Sequence, residues 1–216
     1  MKAAVLPGAL VTLVFVAGAA GARAPVVEPG FRASEAPIDA ALRARMTSWR
    51  PGCPVPVSRL RVLTLAFRGF DGRPHRGRLI VHERYAAGVV EVFRRLWSAR
   101  FPIRRMELVE RYGSDDDRSM AADNTSAFNC RAVPGGGWSE HAYGRAIDVN
   151  PLENPEVRGS QVSPPGGAAF LRRSRWARGM IHPGDRVVRA FAAAGWRWGG
   201  YWRSLKDYQH FSPTGR

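Results

Sequence analysis

The chain has 216 residues and a formal net charge of +15, from 33 basic and 18 acidic residues, which is enough length for one ordinary domain with a real core. Lysine occurs only at Lys2 and Lys206, and the arginines are scattered singly and in pairs, so no basic face is concentrated enough to argue for nucleic acid as a partner. The charge instead suits non-specific attraction to an anionic cell wall, which salt would screen.

The first 24 residues carry Lys2, an apolar run over residues 9–20 and the small-x-small triplet Ala22-Arg23-Ala24. That pattern predicts a signal peptide, with an uncleaved anchor as the alternative. The body is therefore expected outside the cytoplasm, secreted and cell-wall associated, with no transmembrane span in the mature chain. Cys53 and Cys130 are the only cysteines. In an oxidising compartment an even pair reads as one disulfide, although sequence alone does not supply the distance between them.

Residues 25–46 read as a tether and arm, helical in composition from Pro37 to Met46 with Ser34 or Ala36 near the start. Residues 47–216 are expected to form the domain proper. Residues 59–67 (RLRVLTLAF) are β-rich, and the turn Gly69-Phe70-Asp71-Gly72 joins them to a second run, Gly77 to His82, as a hairpin. From Ala86 to Arg100 the residues Val89, Val90, Val92, Phe93 and Trp97 recur at helical spacing, ahead of Pro102. A strand is expected at Met106 to Val109, then an acidic loop from Gly113 to Asn124 and an extended stretch from Ser126 to Arg131. Residues 152–179 read as a long loop of the kind that forms functional rims. A second amphipathic helix is expected from Asp185 to Ala194, stopped by Gly195.

The chemistry is concentrated in two segments. In the first, His141 and Asp148 stand seven residues apart with Gly144 between them. If residues 146–149 are extended, Ile147 and Val149 face the core while Asp148 points the other way, where a carboxylate needs a partner cation. In the second, Asp207 precedes His210 by three residues near the C-terminus. Two histidines and one aspartate make a three-ligand set suited to one Zn²⁺ ion with a fourth position open. Asp207 is then placed to act as a base beside the metal without ligating it. Either half alone would more often be a surface hydrogen bond or a packed core histidine. The aromatics Trp196, Trp198, Tyr201 and Trp202 are candidates for a cleft wall or for plain packing.

Ser139-x-His141-x-x-Gly144-x-Ala146-x-Asp148, followed far downstream by Asp207-x-x-His210, resembles the signature of the D-alanyl-D-alanine metallopeptidases, which include VanY-like carboxypeptidases and L-alanyl-D-glutamate endolysins. Within that family the chain is similar to a bacterial subgroup through GCPVP, GFDG, NTSAFNCR, HAYGRAIDVNP and WGGYW, beginning at Gly52, Gly69, Asn124, His141 and Trp198. The resemblance implies an α+β fold of the hedgehog-like D,D-peptidase kind, with a small central antiparallel sheet, flanking helices and one zinc site. It implies His141, Asp148 and His210 as ligands, Asp207 as catalytic base, Ser139 as a substrate-holding residue and an upstream arginine that steadies the oxyanion. Arg131 is the choice for that arginine, with Arg118 as the alternative. The implied substrate is a peptidoglycan stem peptide, cleaved by a D-alanyl-D-alanine carboxypeptidase or, alternatively, by an L-alanyl-D-glutamate-type endopeptidase. A non-catalytic zinc-binding wall module is the rival from another class. The protein is expected to be a monomer.

Overall fold

The computed structural model describes Met1, residues 30–133 and residues 135–215. The expected signal peptide therefore lies, Met1 aside, outside the described residues, as does the start of the tether.

The chain is α+β. Strand β1 (Ala33–Pro37) runs antiparallel to β2 (Leu60–Arg68), which pairs in turn with β3 (Pro74–His82). Residues 33–37 were expected within the tether; their backbone instead covers the free edge of β2, and the short helix α1 (Ala40–Arg45) starts later than expected, capped by Asp39. The β2–β3 hairpin turns at Gly72, whose φ of +77° suits glycine.

The central strand β2 is buried on both faces. On β2, Leu63, Leu65 and Phe67 enter one cluster while Leu60 and Val62 enter another, as period-2 alternation requires. Helix α2 (Glu83–Ser98) lays Val89, Val92, Phe93 and Leu96 on the first cluster, its N-terminus capped by the His82 Nδ1. Helix α3 (Asp116–Ala121) occupies what was expected to be an acidic loop: Asp115 caps it, and Asp116 and Asp117 sit in its first turn, where carboxylates favour the helix dipole. Helix α4 (Arg186–Ala193), capped by Asp185, adds Val187 and Phe191 to the first cluster.

The remaining strands are short. β4 (Ile147–Asp148), β9 (His210–Ser212) and β7 (Arg197–Trp198) form a second sheet in the order β4-β9-β7; β6 (Gln161–Ser163), β5 (Glu156–Arg158) and β8 (Lys206–Asp207) form a third. The single central sheet expected from the sequence is thus replaced by three small antiparallel ones, because strands of two or three residues end at turns before they can extend a common sheet. The strand expected at Met106 to Val109 is absent: Met106 contributes one carbonyl to Arg78 N, and residues 109–112 close a 3₁₀ turn.

Cys53 and Cys130 are bonded, with Cα atoms 6.0 Å apart and a sequence separation of 77. The bridge anchors the extended stretch that ends at Arg131. Among the described residues no helix is long and apolar enough to cross a membrane.

Candidate metal centre

Strand register builds half the site. Asp148 on β4 lies directly opposite His210 on β9, and Ile147 opposite Phe211. Directly paired residues share a face, so Ile147 and Phe211, both fully buried, fill the core while Asp148 and His210 turn together to the other side. His210 Nδ1 lies 3.0 Å from Asp148 Oδ1.

The third member arrives on a 3₁₀ turn, Glu140–Tyr143, that ends at Gly144. Ser139 caps the turn by accepting from His141 N at 3.3 Å. Gly144 has a φ of +63°, and a Cβ there would stand 2.6 Å from His82 N. Its carbonyl accepts from that same His82 N at 2.8 Å, seating the turn against the end of β3. The signature glycine therefore meets both a left-handed backbone and a close approach.

His141, Asp148 and His210 are buried, and one ligand atom from each lies within 4.8 Å of the others. The His141 Nδ1 faces the Ala127 carbonyl, which can only accept, so Nδ1 carries the proton. Its Nε2, left without the proton, lies 3.0 Å from Asp148 Oδ2 as a buried nitrogen that makes no hydrogen bond. A lone pair held against a carboxylate in a dry setting calls for a cation between them, and a backbone carbonyl behind the imidazole is how metal-ligating histidines are oriented. The residues fit a divalent metal. Electrostatics agree: burial pushes the Asp148 carboxyl up, but the two imidazoles outweigh it and hold it well below the usual carboxylate range. Burial also disfavours the charged form of His141, yet Asp148 raises it overall.

Asp207 is brought alongside on β8, opposite Glu156 on β5. Gly199 packs on it so closely that a Cβ would meet Asp207 O at 2.6 Å and His210 Cβ at 3.4 Å. Asp207 Oδ1 is buried without a hydrogen-bond partner. Burial, with Asp148 and Glu156 adding to it against His210 and Arg131, pushes this carboxyl up to about 8.

Arg131 and Ser139 are held together by Ser139 N donating to Arg131 O at 3.0 Å. The Arg131 guanidinium pairs with Asp116 Oδ2 at 2.9 Å, its Nε is buried without a partner, and its charge bears on both His141 and Asp207. The alternative, Arg118, is exposed on α3, where its backbone N–H donates to the Asp115 carboxylate and its carbonyl accepts from Ala122 N. Of the aromatics, Trp202 lies over His210 with ring centroids 5.3 Å apart, while Trp196 and Trp198 are core residues.

Sequence reasoning missed several residues. Asp116, which fixes Arg131, was hidden in a stretch taken for a loop. The Ala127 carbonyl has no side-chain signal at all. Gln209, buried with its Oε1 unpartnered, sits between Tyr208 and His210 without a motif of its own. Asn150 takes a φ of +45°, accepts from Arg104 N and donates to Pro102 O and Gly179 O, securing the strand end after Asp148. Farther off, Asp123 and Glu153 bury adjacent carboxyls beside Arg104, at 3.5 and 3.7 Å from its nitrogens. Burial first, then Asp123, pushes Glu153 up to about 8.

No solved structure matches the chain significantly. Residues 133–213, which hold all three candidate ligands and Asp207, match the family model described as D-alanyl-D-alanine carboxypeptidase, so the segment that carries the site is similar to that family.

Proposed function

We propose that the protein is an extracytoplasmic zinc peptidase that removes the terminal D-alanine from peptidoglycan stem peptides. The observation that carries this reading is a buried carboxyl, Asp207, with an unpartnered oxygen beside three converging ligands, His141, Asp148 and His210. A purely structural metal site has no use for such a group, whereas hydrolysis needs one.

When bound, zinc would polarise the scissile carbonyl and acidify water at the site. Asp207, with an unpartnered buried oxygen beside the three ligands, takes the proton of the attacking water and returns it to the leaving amine. Arg131, oriented by Asp116, supplies positive charge to the oxyanion. Ser139 holds the substrate from the cap of the His141 turn. Trp202 and the buried strand pair β4–β9 keep bulk water from the far side of His210.

Export rests on the N-terminal pattern, and the Cys53–Cys130 bridge fits an oxidising compartment. The mature domain would act as a monomer on the wall polymer, with no nucleic-acid partner.

The test is to incubate the protein and an Asp207→Ala variant with purified muropeptides and zinc, and to identify products by mass spectrometry. Loss of a terminal D-alanine with the parent alone supports the proposal. Cleavage elsewhere in the stem would replace it with an endopeptidase. No product from either protein, with zinc bound, would leave a non-catalytic wall module.

A further inference from the structure

The stretch from residue 171 to 182 carries a feature that hydrolysis does not use. Trp176 is 76% exposed, yet its ring is not free to wander: it stacks on His182 with centroids 3.8 Å apart and planes 26° from parallel. His182 is itself buried, and its backbone N–H donates to Asp185 Oδ2 at 2.8 Å, so the platform beneath the indole is tied to the cap of α4. One indole face is thus pinned and the other is presented to solvent.

Three arginines surround it in sequence, Arg172, Arg175 and Arg178, all exposed and none ion-paired among the described residues. Arg173 does the opposite: it turns inward, donates to Glu153 O, Ile181 O and Asn154 Oδ1, and lies 4.4 Å over the Tyr208 ring. Tyr208 stands between Asp207 and the His210 strand. The stretch is therefore rooted in the same connection that carries the base and the last ligand. Tyr201 adds a second tie, its hydroxyl accepting from Gly184 N at 3.0 Å.

A flat apolar face flanked in sequence by exposed guanidiniums that have no carboxylate partner, with Arg178 lying over the Phe70 ring, suits a pyranose ring, whose C–H bonds pack on an indole, linked to groups bearing carboxylates that the arginines pair. We infer that Trp176, with Arg172, Arg175 and Arg178, forms a saccharide platform that holds the glycan strand of peptidoglycan while its stem peptide enters the metal site. This inference rests on the proposed peptidase function for its choice of polymer. A protein partner is disfavoured because the large apolar side chains exposed in this stretch are Leu171 and Trp176 within a cationic loop, short of the contiguous apolar patch that protein interfaces bury.

The experiment compares the full chain with Trp176→Ala and Trp176→Phe in two assays. The first is co-sedimentation with purified, protein-free peptidoglycan sacculi; the second is hydrolysis of a soluble stem pentapeptide that carries no sugar. Trp176→Ala is expected to weaken sacculus binding by about tenfold, with Trp176→Phe between it and the parent, and to leave pentapeptide turnover within about twofold. Quenching or enhancement of tryptophan fluorescence by N-acetylated chitotetraose in the parent, lost in Trp176→Ala, would identify the saccharide as the ligand. Unchanged sedimentation of Trp176→Ala overturns the platform, as does equal loss of pentapeptide turnover. If the parent cleaves no stem peptide yet sediments through Trp176, the peptidase reading fails and the platform stands.

Discussion

Gly144→Ala tests how the His141 turn is seated, and the protein contains its own control. Gly113 and Gly144 both end 3₁₀ turns in the left-handed region, at φ of +68° and +63°. A Cβ at Gly113 meets nothing within 4 Å, whereas at Gly144 it would stand 2.6 Å from His82 N and 3.2 Å from Leu60 Cδ2. The left-handed backbone costs an L-residue about 1–2 kcal/mol, partly offset by about 0.4–1 kcal/mol from the stiffer unfolded chain. Gly113→Ala should therefore lose about 1 kcal/mol or less. Gly144→Ala carries the same strain and must also push apart two backbone segments, which adds about 1–3 kcal/mol of overpacking, for a total near 3 kcal/mol. Urea unfolding of both variants measures the difference directly. Competition with a chromogenic chelator should show weaker zinc binding for Gly144→Ala alone, since His141 rides on the displaced turn. Equal stability losses in the two variants, within about 0.5 kcal/mol, would refute the claim that close approach to β3 seats the metal histidine.

Removing the disulfide as Cys53→Ser/Cys130→Ser frees a loop closed across a sequence separation of 77 and should cost about 4.5 kcal/mol in urea unfolding; reducing agent should then leave the variant unaffected. Zinc at about a thousandfold its dissociation constant should stabilise the protein by about 4 kcal/mol, seen as a rise in Tm, and His210→Ala should abolish that rise. Glu153, raised from 4.5 to about 8 in the fold, binds its proton more tightly folded than unfolded. Its contribution is present below pH 4.5 and is lost as pH rises towards about 8. Glu153→Gln, which mimics the protonated carboxyl against Asp123, should flatten the decline in denaturation midpoint across that window; an unchanged slope would show that the two carboxyls do not share a proton.

The amino-acid sequence by itself determined the elements whose signals are local. The hairpin of residues 60–82 and helices α2 and α4 follow from alternation and helical spacing within a few residues, and all three formed, with β3 and α2 each starting three residues earlier than expected. The convergence of His141, Asp148 and His210 was legible in part because seven residues with a glycine between allow one turn and one strand, and period-2 alternation turns Asp148 away from Ile147 and Val149. The tertiary structure alone decided the rest. Strand β1 exists because residues 33–37 find the open edge of β2, a contact their composition does not encode. The acidic segment at 116–121 is helical because Asp115 caps it and Arg131 draws Asp116 from a distance of fifteen positions. The register that sets Asp148 against His210 joins residues 62 positions apart, and the buried, unpartnered state of Asp207 arises only when Gly199 and Glu156 close on it. Those properties depend on which distant surfaces exclude water together, and no local pattern of residues specifies that.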